Sequence, residues 1–139
     1  MGDQLYQKGH YIKAIESYSM GLMLKVDDKD CLAARSKCFL KMGDPENALR
    51  DAEASLKHDK TFYKGLYCKA EALCTMGDFE SALAVYHRGR KLRPNVADFR
   101  LGIQKAEETL ERTVRGKPTG VIHHLKKDKE YLEKWDLRT

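Results

Sequence analysis

Residues 42–48 read Met-Gly-Asp-Pro-Glu-Asn-Ala, and residues 76–82 read Met-Gly-Asp-Phe-Glu-Ser-Ala. Gly9 and Ala14 stand in the same relation, a Gly, four residues and an Ala, so the signal falls three times at a step of 34. Ile15, Leu49 and Leu83 keep that register, as do Val26, Lys60 and Pro94. A fixed period of this length marks a stack of small units, none of which buries its apolar face alone. Within one unit the Gly ends a first helix, where the backbone must turn left-handed and a side chain would clash. Asp44 or Asp78 caps the second helix, and Pro45 takes its first position, where a missing N–H costs nothing. The Ala faces the first helix of its own pair, because only a small residue lets two axes approach to about 8–10 Å. Leu83, Tyr86 and Leu92 continue the second helix at helical spacing, and Pro94 ends it.

This pattern resembles the tetratricopeptide repeat. The matching positions are Leu32 and Leu66, Ser36 and Ala70, and Phe39 and Leu73 on first helices, then Ala48 and Ala82, Tyr18 and Tyr86, and Pro94. Repeat two departs, with Ala52 where an aromatic is usual and Ser55 where Ala is usual, which implies weaker packing there. The expected fold is all-α: a right-handed α-solenoid of three helix-turn-helix repeats with a capping helix and a short C-terminal helix. The repeat domain runs over 1–114, as a shortened repeat 1–28, full repeats 29–62 and 63–96, and a cap helix 97–114. Phe99, Ile103, Ala106 and Leu110 give that cap its apolar stripe. In the 34-residue register the first helix of repeat one would start about six residues before Met1. Either the chain is a truncated product or a partner supplies the missing turn. Residues 115–127, with Gly116, Pro118 and Gly120, read as a linker. Residues 128–138 form a short amphipathic helix carrying Tyr131, Leu132 and Trp135, which either docks on a partner or folds back onto the last repeats.

The chain has 139 residues, of which 42% are hydrophobic and 34% charged, and a net charge of +5. Residues 115–139 hold seven Lys/Arg against four Asp/Glu, so the tail carries most of the basic excess and suits an acidic partner surface. No apolar run is long enough to span a bilayer, and Met1–Tyr11 is polar, so an intracellular, cytoplasmic protein without a membrane partner is expected. Cys31, Cys38, Cys68 and Cys74 fall in first helices without zinc-ligand spacing and read as buried small apolar residues. No paired acid and base, no nucleophile and no phosphate-binding Gly loop appears, so neither an enzyme nor a cofactor is expected. The His87, Arg88, Arg90, Lys91, Arg93 run lacks interleaved aromatics and reads as the cationic end of a helix, not a nucleic-acid patch.

What remains is a binding surface. Successive first helices of this fold line a concave groove, here with Tyr6, Lys37, Leu40, Lys41, Lys64, Tyr67 and Glu71. Such a groove of lysines and rings suits an acidic peptide or one face of a partner helix. Tetratricopeptide co-chaperones grip a C-terminal carboxylate with Lys, Asn, Lys and Arg; the matching positions here are Asp3, Ala34, Lys64 and Cys68, and only Lys64 fits.

Longer stretches carry a closer resemblance. They are residues 35–44, 51–56, 75–80, 86–89, 91–94 and 102–106, with 128–134 in the tail. These are similar to the repeat block of a family of outer dynein arm docking-complex subunits, over 2–114 well and 128–134 in part. Family members are longer, with further repeats, and the stretch before Asp128 is shorter here. The resemblance implies a non-enzymatic scaffold in the cilium or flagellum axoneme, helping to attach outer dynein arms to doublet microtubules. Its implied partners are coiled-coil docking-complex proteins and outer dynein arm components, with the basic tail meeting the microtubule surface. The competing expectation is a soluble co-chaperone or trafficking adaptor that holds a linear peptide.

Overall fold

The computed structural model describes residues 1–114. Seven helices follow in order: α1 (Gly2–Gln7), α2 (Tyr11–Leu24), α3 (Lys29–Lys41), α4 (Pro45–Ser55), α5 (Tyr63–Thr75), α6 (Phe79–Leu92) and α7 (Ala97–Val114). The turns within each pair form for the reason the spacing gives. Gly9, Gly43 and Gly77 have φ of 81°, 75° and 87°, the left-handed region, and no non-Gly residue has positive φ. Asp44 then accepts from the Asn47 amide and Asp78 from the Ser81 amide, which caps α4 and α6. Pro45 is the first residue of α4. At the entry to α3 the Asp28 carboxylate accepts from the amides of Asp30 and Cys31.

Consecutive helices pack on one another, and the first helices also touch their successors, α3 on α5 and α5 on α7. This serial contact is a tetratricopeptide helical solenoid. Ala14, Ala48 and Ala82 are fully buried at the crossing of each pair. The main core lies at the α7 end, where Leu66, Ala70, Ala82, Leu83, Tyr86, Phe99, Ile103 and Ala106 cluster.

Repeat two is better built than its departures imply. Ala52 is sealed, and the Ser55 hydroxyl donates to the Ala52 carbonyl at 2.6 Å. A Cβ on Gly65 would stand 2.3 Å from Ser55 Oγ, so a small residue on each helix brings α4 and α5 together. Beside them Arg35 grips the buried Asp51 carboxylate at 2.7 and 2.8 Å and reaches Ser19 at 3.0 Å, which ties α2, α3 and α4 together. The cysteines divide: Cys38 and Cys68 are buried, whereas Cys31 and Cys74 are half-buried, and all four are free thiols. Cys31 opens α3 and Cys74 closes α5, where the packed face reaches the helix ends. The expected tail helix with Tyr131, Leu132 and Trp135 lies outside the described residues.

Candidate partner-binding groove

α1, α3, α5 and the start of α7 enclose a hollow of about 600 Å³ on one face of the stack. Four of the expected residues line it: Tyr6 from α1, Lys37 from α3, and Lys64 and Tyr67 from α5. Tyr67 also lines a second hollow of about 320 Å³ between α5 and α7, and Glu71 belongs to that one. Leu40 and Lys41 line neither hollow. They stand on the last turn of α3, just before the Gly43 turn.

The rings are held by their neighbours. The Lys37 ammonium lies 5.2 Å from the Tyr6 ring centroid, and Tyr6 meets Tyr11 edge-on at 5.5 Å. Tyr67 sits edge-on to Phe99 at 6.0 Å and tilted against Tyr86 at 6.4 Å. Burial, reinforced by a hydrogen bond to the Glu71 carboxylate, pushes the Tyr67 hydroxyl well above the usual phenol range, so it acts as a donor at neutral pH. Tyr18 donates to the Asp3 carboxylate at the α1 end.

Charge is where sequence and structure part. The lysines do not make the hollow basic, because Asp3, Asp30 and Asp98 line it together with Lys37 and Lys64. These acids are legible in the 34-residue register, since Asp30 and Asp98 stand one period either side of Lys64. The four co-chaperone positions, Asp3, Ala34, Lys64 and Cys68, do converge in the hollow. A terminal carboxylate there would meet one lysine, one aspartate and a thiol, and burial holds that thiol protonated, with its pKa pushed up to about 11. The basic run at the end of α6 is also absorbed structurally: Arg90 and Lys91 occupy the last turn, His87 is buried with Nδ1 3.1 Å from Arg90, and Arg93 lies 5.0 Å over the Tyr63 ring.

No family model matches the chain. Among solved structures, the second TPR domain of human RPAP3, in complex with an HSP70 peptide, superposes with a TM-score of 0.72 at 22% identity, covering 76% of this chain and 88% of that one. Sequence relatives are nearer. "Outer dynein arm-docking complex subunit 4" of Danio rerio is 61% identical over 120 residues, which is 86% of this chain and 24% of that protein. The Xenopus laevis protein of the same name is 56% identical over 133 residues, 96% of this chain and 25% of that protein. The chain is a tetratricopeptide-repeat relative of these docking-complex subunits. It spans about a quarter of their length. Among the described residues of this tetratricopeptide chain, no helix is long and apolar enough to cross a membrane, and no cluster of metal-ligating side chains occurs.

Proposed function

We propose that the chain is a non-enzymatic adaptor of the axoneme, which helps attach outer dynein arms to doublet microtubules by holding helical or coiled-coil segments of docking-complex proteins. The observation that carries this is the 53–61% identity to docking-complex subunits over most of the chain, on a fold whose working part is its surface. Tyr6, Lys37, Lys64, Tyr67 and Glu71 form the contact surface, with Leu40 and Lys41 at its margin. The basic residues of 115–139 add attraction to the acidic microtubule surface, and Tyr131, Leu132 and Trp135 supply a second apolar contact. Capture of an acidic chaperone tail is disfavoured by Asp3 at the position where a cation would be needed.

The test has two arms. A tagged chain expressed in ciliated cells concentrates along the axoneme, and its loss depletes outer dynein arms. A uniformly cytosolic signal, with arms intact after loss, would sink the proposal. Pull-down from ciliary extract with Lys37→Glu and Tyr67→Ala together recovers less docking-complex protein than the unsubstituted chain. Equal recovery assigns binding to another face.

A further inference from the structure

The charges of the concave face fall into rows that the 34-residue period generates. Asp30, Lys64 and Asp98 occupy one repeat position on α3, α5 and α7, and all three line the larger hollow. Asp3, Lys37, Glu71 and Lys105 occupy another, on α1, α3, α5 and α7. The first two of these line the larger hollow and the last two the smaller. Tyr67 and Asp98 belong to both hollows, so the surface is continuous. Sign alternates along each row. Among the described residues, Asp30, Lys64 and Asp98 hold no ion-pair partner, in contrast to Asp51, which Arg35 neutralises. Three exposed charges of strictly alternating sign, evenly placed and left unpaired, suit recognition, where charge sets register and rejects wrong partners.

We infer that the ladder Asp30-Lys64-Asp98, and not the second row, whose Asp3, Lys37 and Glu71 already engage Tyr18, Tyr6 and Tyr67, reads an α-helical partner segment bearing a basic, an acidic and a basic residue on one face at near-heptad spacing. The spacing follows from the fold. First helices of neighbouring repeats pack at roughly 8–10 Å. A partner helix crossing them rises 1.5 Å per residue, so successive rungs meet residues about five to seven apart, a range that reaches the heptad. That is the recurrence of one face of a coiled-coil helix. Because Asp30-Lys64-Asp98 reads the same in both directions, a parallel and an antiparallel segment both satisfy it. Tyr6 and Tyr67, both partly exposed, offer ring faces and edges beside the rungs for the partner's long cationic stems. The inference rests on the groove being the binding face, as proposed above.

The experiment is fluorescence anisotropy with the full 139-residue chain and three labelled, Ala-rich helical peptides. One carries Arg-Glu-Arg at seven-residue spacing, one Glu-Arg-Glu at the same places, and one the first composition with its charges scrambled. The Arg-Glu-Arg peptide is expected to bind about tenfold more tightly than Glu-Arg-Glu, as several weak exposed ion pairs change sign together. The gap closes at 0.5 M salt, where the Debye length falls to about 4 Å. Asp30→Lys, Lys64→Glu and Asp98→Lys combined, with circular dichroism confirming the helices, reverses the preference. Equal binding of all three peptides, or a preference for Glu-Arg-Glu, overturns the ladder but leaves the groove as a docking face. Failure of every peptide to bind overturns the groove as well.

Discussion

Arg35 and Asp51 show what one pair of side chains does in a solenoid. Asp51 is nearly sealed and Arg35 only partly, and the guanidinium forks across both carboxylate oxygens while its third nitrogen reaches Ser19. The equivalent positions one period on are Lys69 and Val85, so the clasp belongs to repeat two alone. It sits where Ala52 replaces the ring that Tyr18 and Tyr86 supply to their own repeats. Arg35→Ala leaves a buried carboxylate without its partner and is expected to cost about 3 kcal/mol, read from the urea midpoint. Arg35→Met with Asp51→Leu is expected to recover much of that loss, since an apolar pair needs no neutralising. A double variant as weak as Arg35→Ala would show that packing, not charge, is what the clasp supplies. The buried thiols give a second test. Burial pushes Cys38 and Cys68 from an ordinary 9.0 to about 11. Between those values the folded chain keeps protons that the unfolded chain has released, so these groups lower stability as pH rises from about 9 towards 11. At pH 8 the same two thiols are expected to react with iodoacetamide far more slowly in the folded chain than in urea, and mass mapping of the labelled sites reads this directly.

At the scale of elements, two kinds of glycine have different jobs. At Gly43 a Cβ would meet nothing within 4 Å, so Gly43→Ala costs only the left-handed backbone, about 1–2 kcal/mol. At Gly102, on α7, a Cβ would stand 2.5 Å from the Tyr86 ring. Gly102→Ala therefore pushes α7 off α6 or twists a fully buried ring, at an expected 2–3 kcal/mol by the usual scale of overpacking. The thermal midpoints of the two variants give the order, and an equal loss would show that α7 is loosely seated. The turn glycines, aspartate caps and small crossing residues are legible in the sequence because each answers a local demand that recurs every period. The Arg35–Asp51 clasp is not, because it joins helices through a contact that occurs once, whereas the Ser55–Gly65 approach recurs at the same repeat positions as Gly21–Cys31 and Gly89–Phe99. The groove falls between. Tyr6, Lys37, Lys64 and Tyr67 line the hollow that the register implies, whereas Leu40 and Lys41, one period after Tyr6 and Gln7, line neither hollow although those two do. The aspartates of the same rows share the lysines' repeat positions with opposite sign, so a single-residue view of the lysines overstates the positive charge of the groove.

Over the whole molecule, burial is graded along the stack. The α5–α6–α7 end holds the core cluster around Tyr86 and Phe99, both essentially sealed. The other end is thin: α1 has six residues, and α2 buries only Ala14 and Leu22. On its outer face α2 leaves Met20, Met23 and Leu24 68–92% exposed. One period on, the matching positions are Ala54, Lys57 and His58, all exposed, so these are outward positions in repeat two as well, and their apolar area contributes nothing to this fold. In a solenoid each unit is stabilised by itself and its neighbours, so local opening follows local burial. Native-state hydrogen exchange is therefore expected to show α1 and α2 exchanging fastest and the middle of α5 and α6 slowest. Phe99→Ala tests the coupling. Removing a fully buried ring costs about 3–5 kcal/mol, a large share of the 5–15 kcal/mol that holds an ordinary domain. The loss should fall on α5, α6 and α7, with α2 amides little changed because they are several interfaces away. If protection instead falls uniformly, from α1 to α7 and by the same factor, the stack unfolds as one cooperative block, and the gradient in burial has no counterpart in its dynamics.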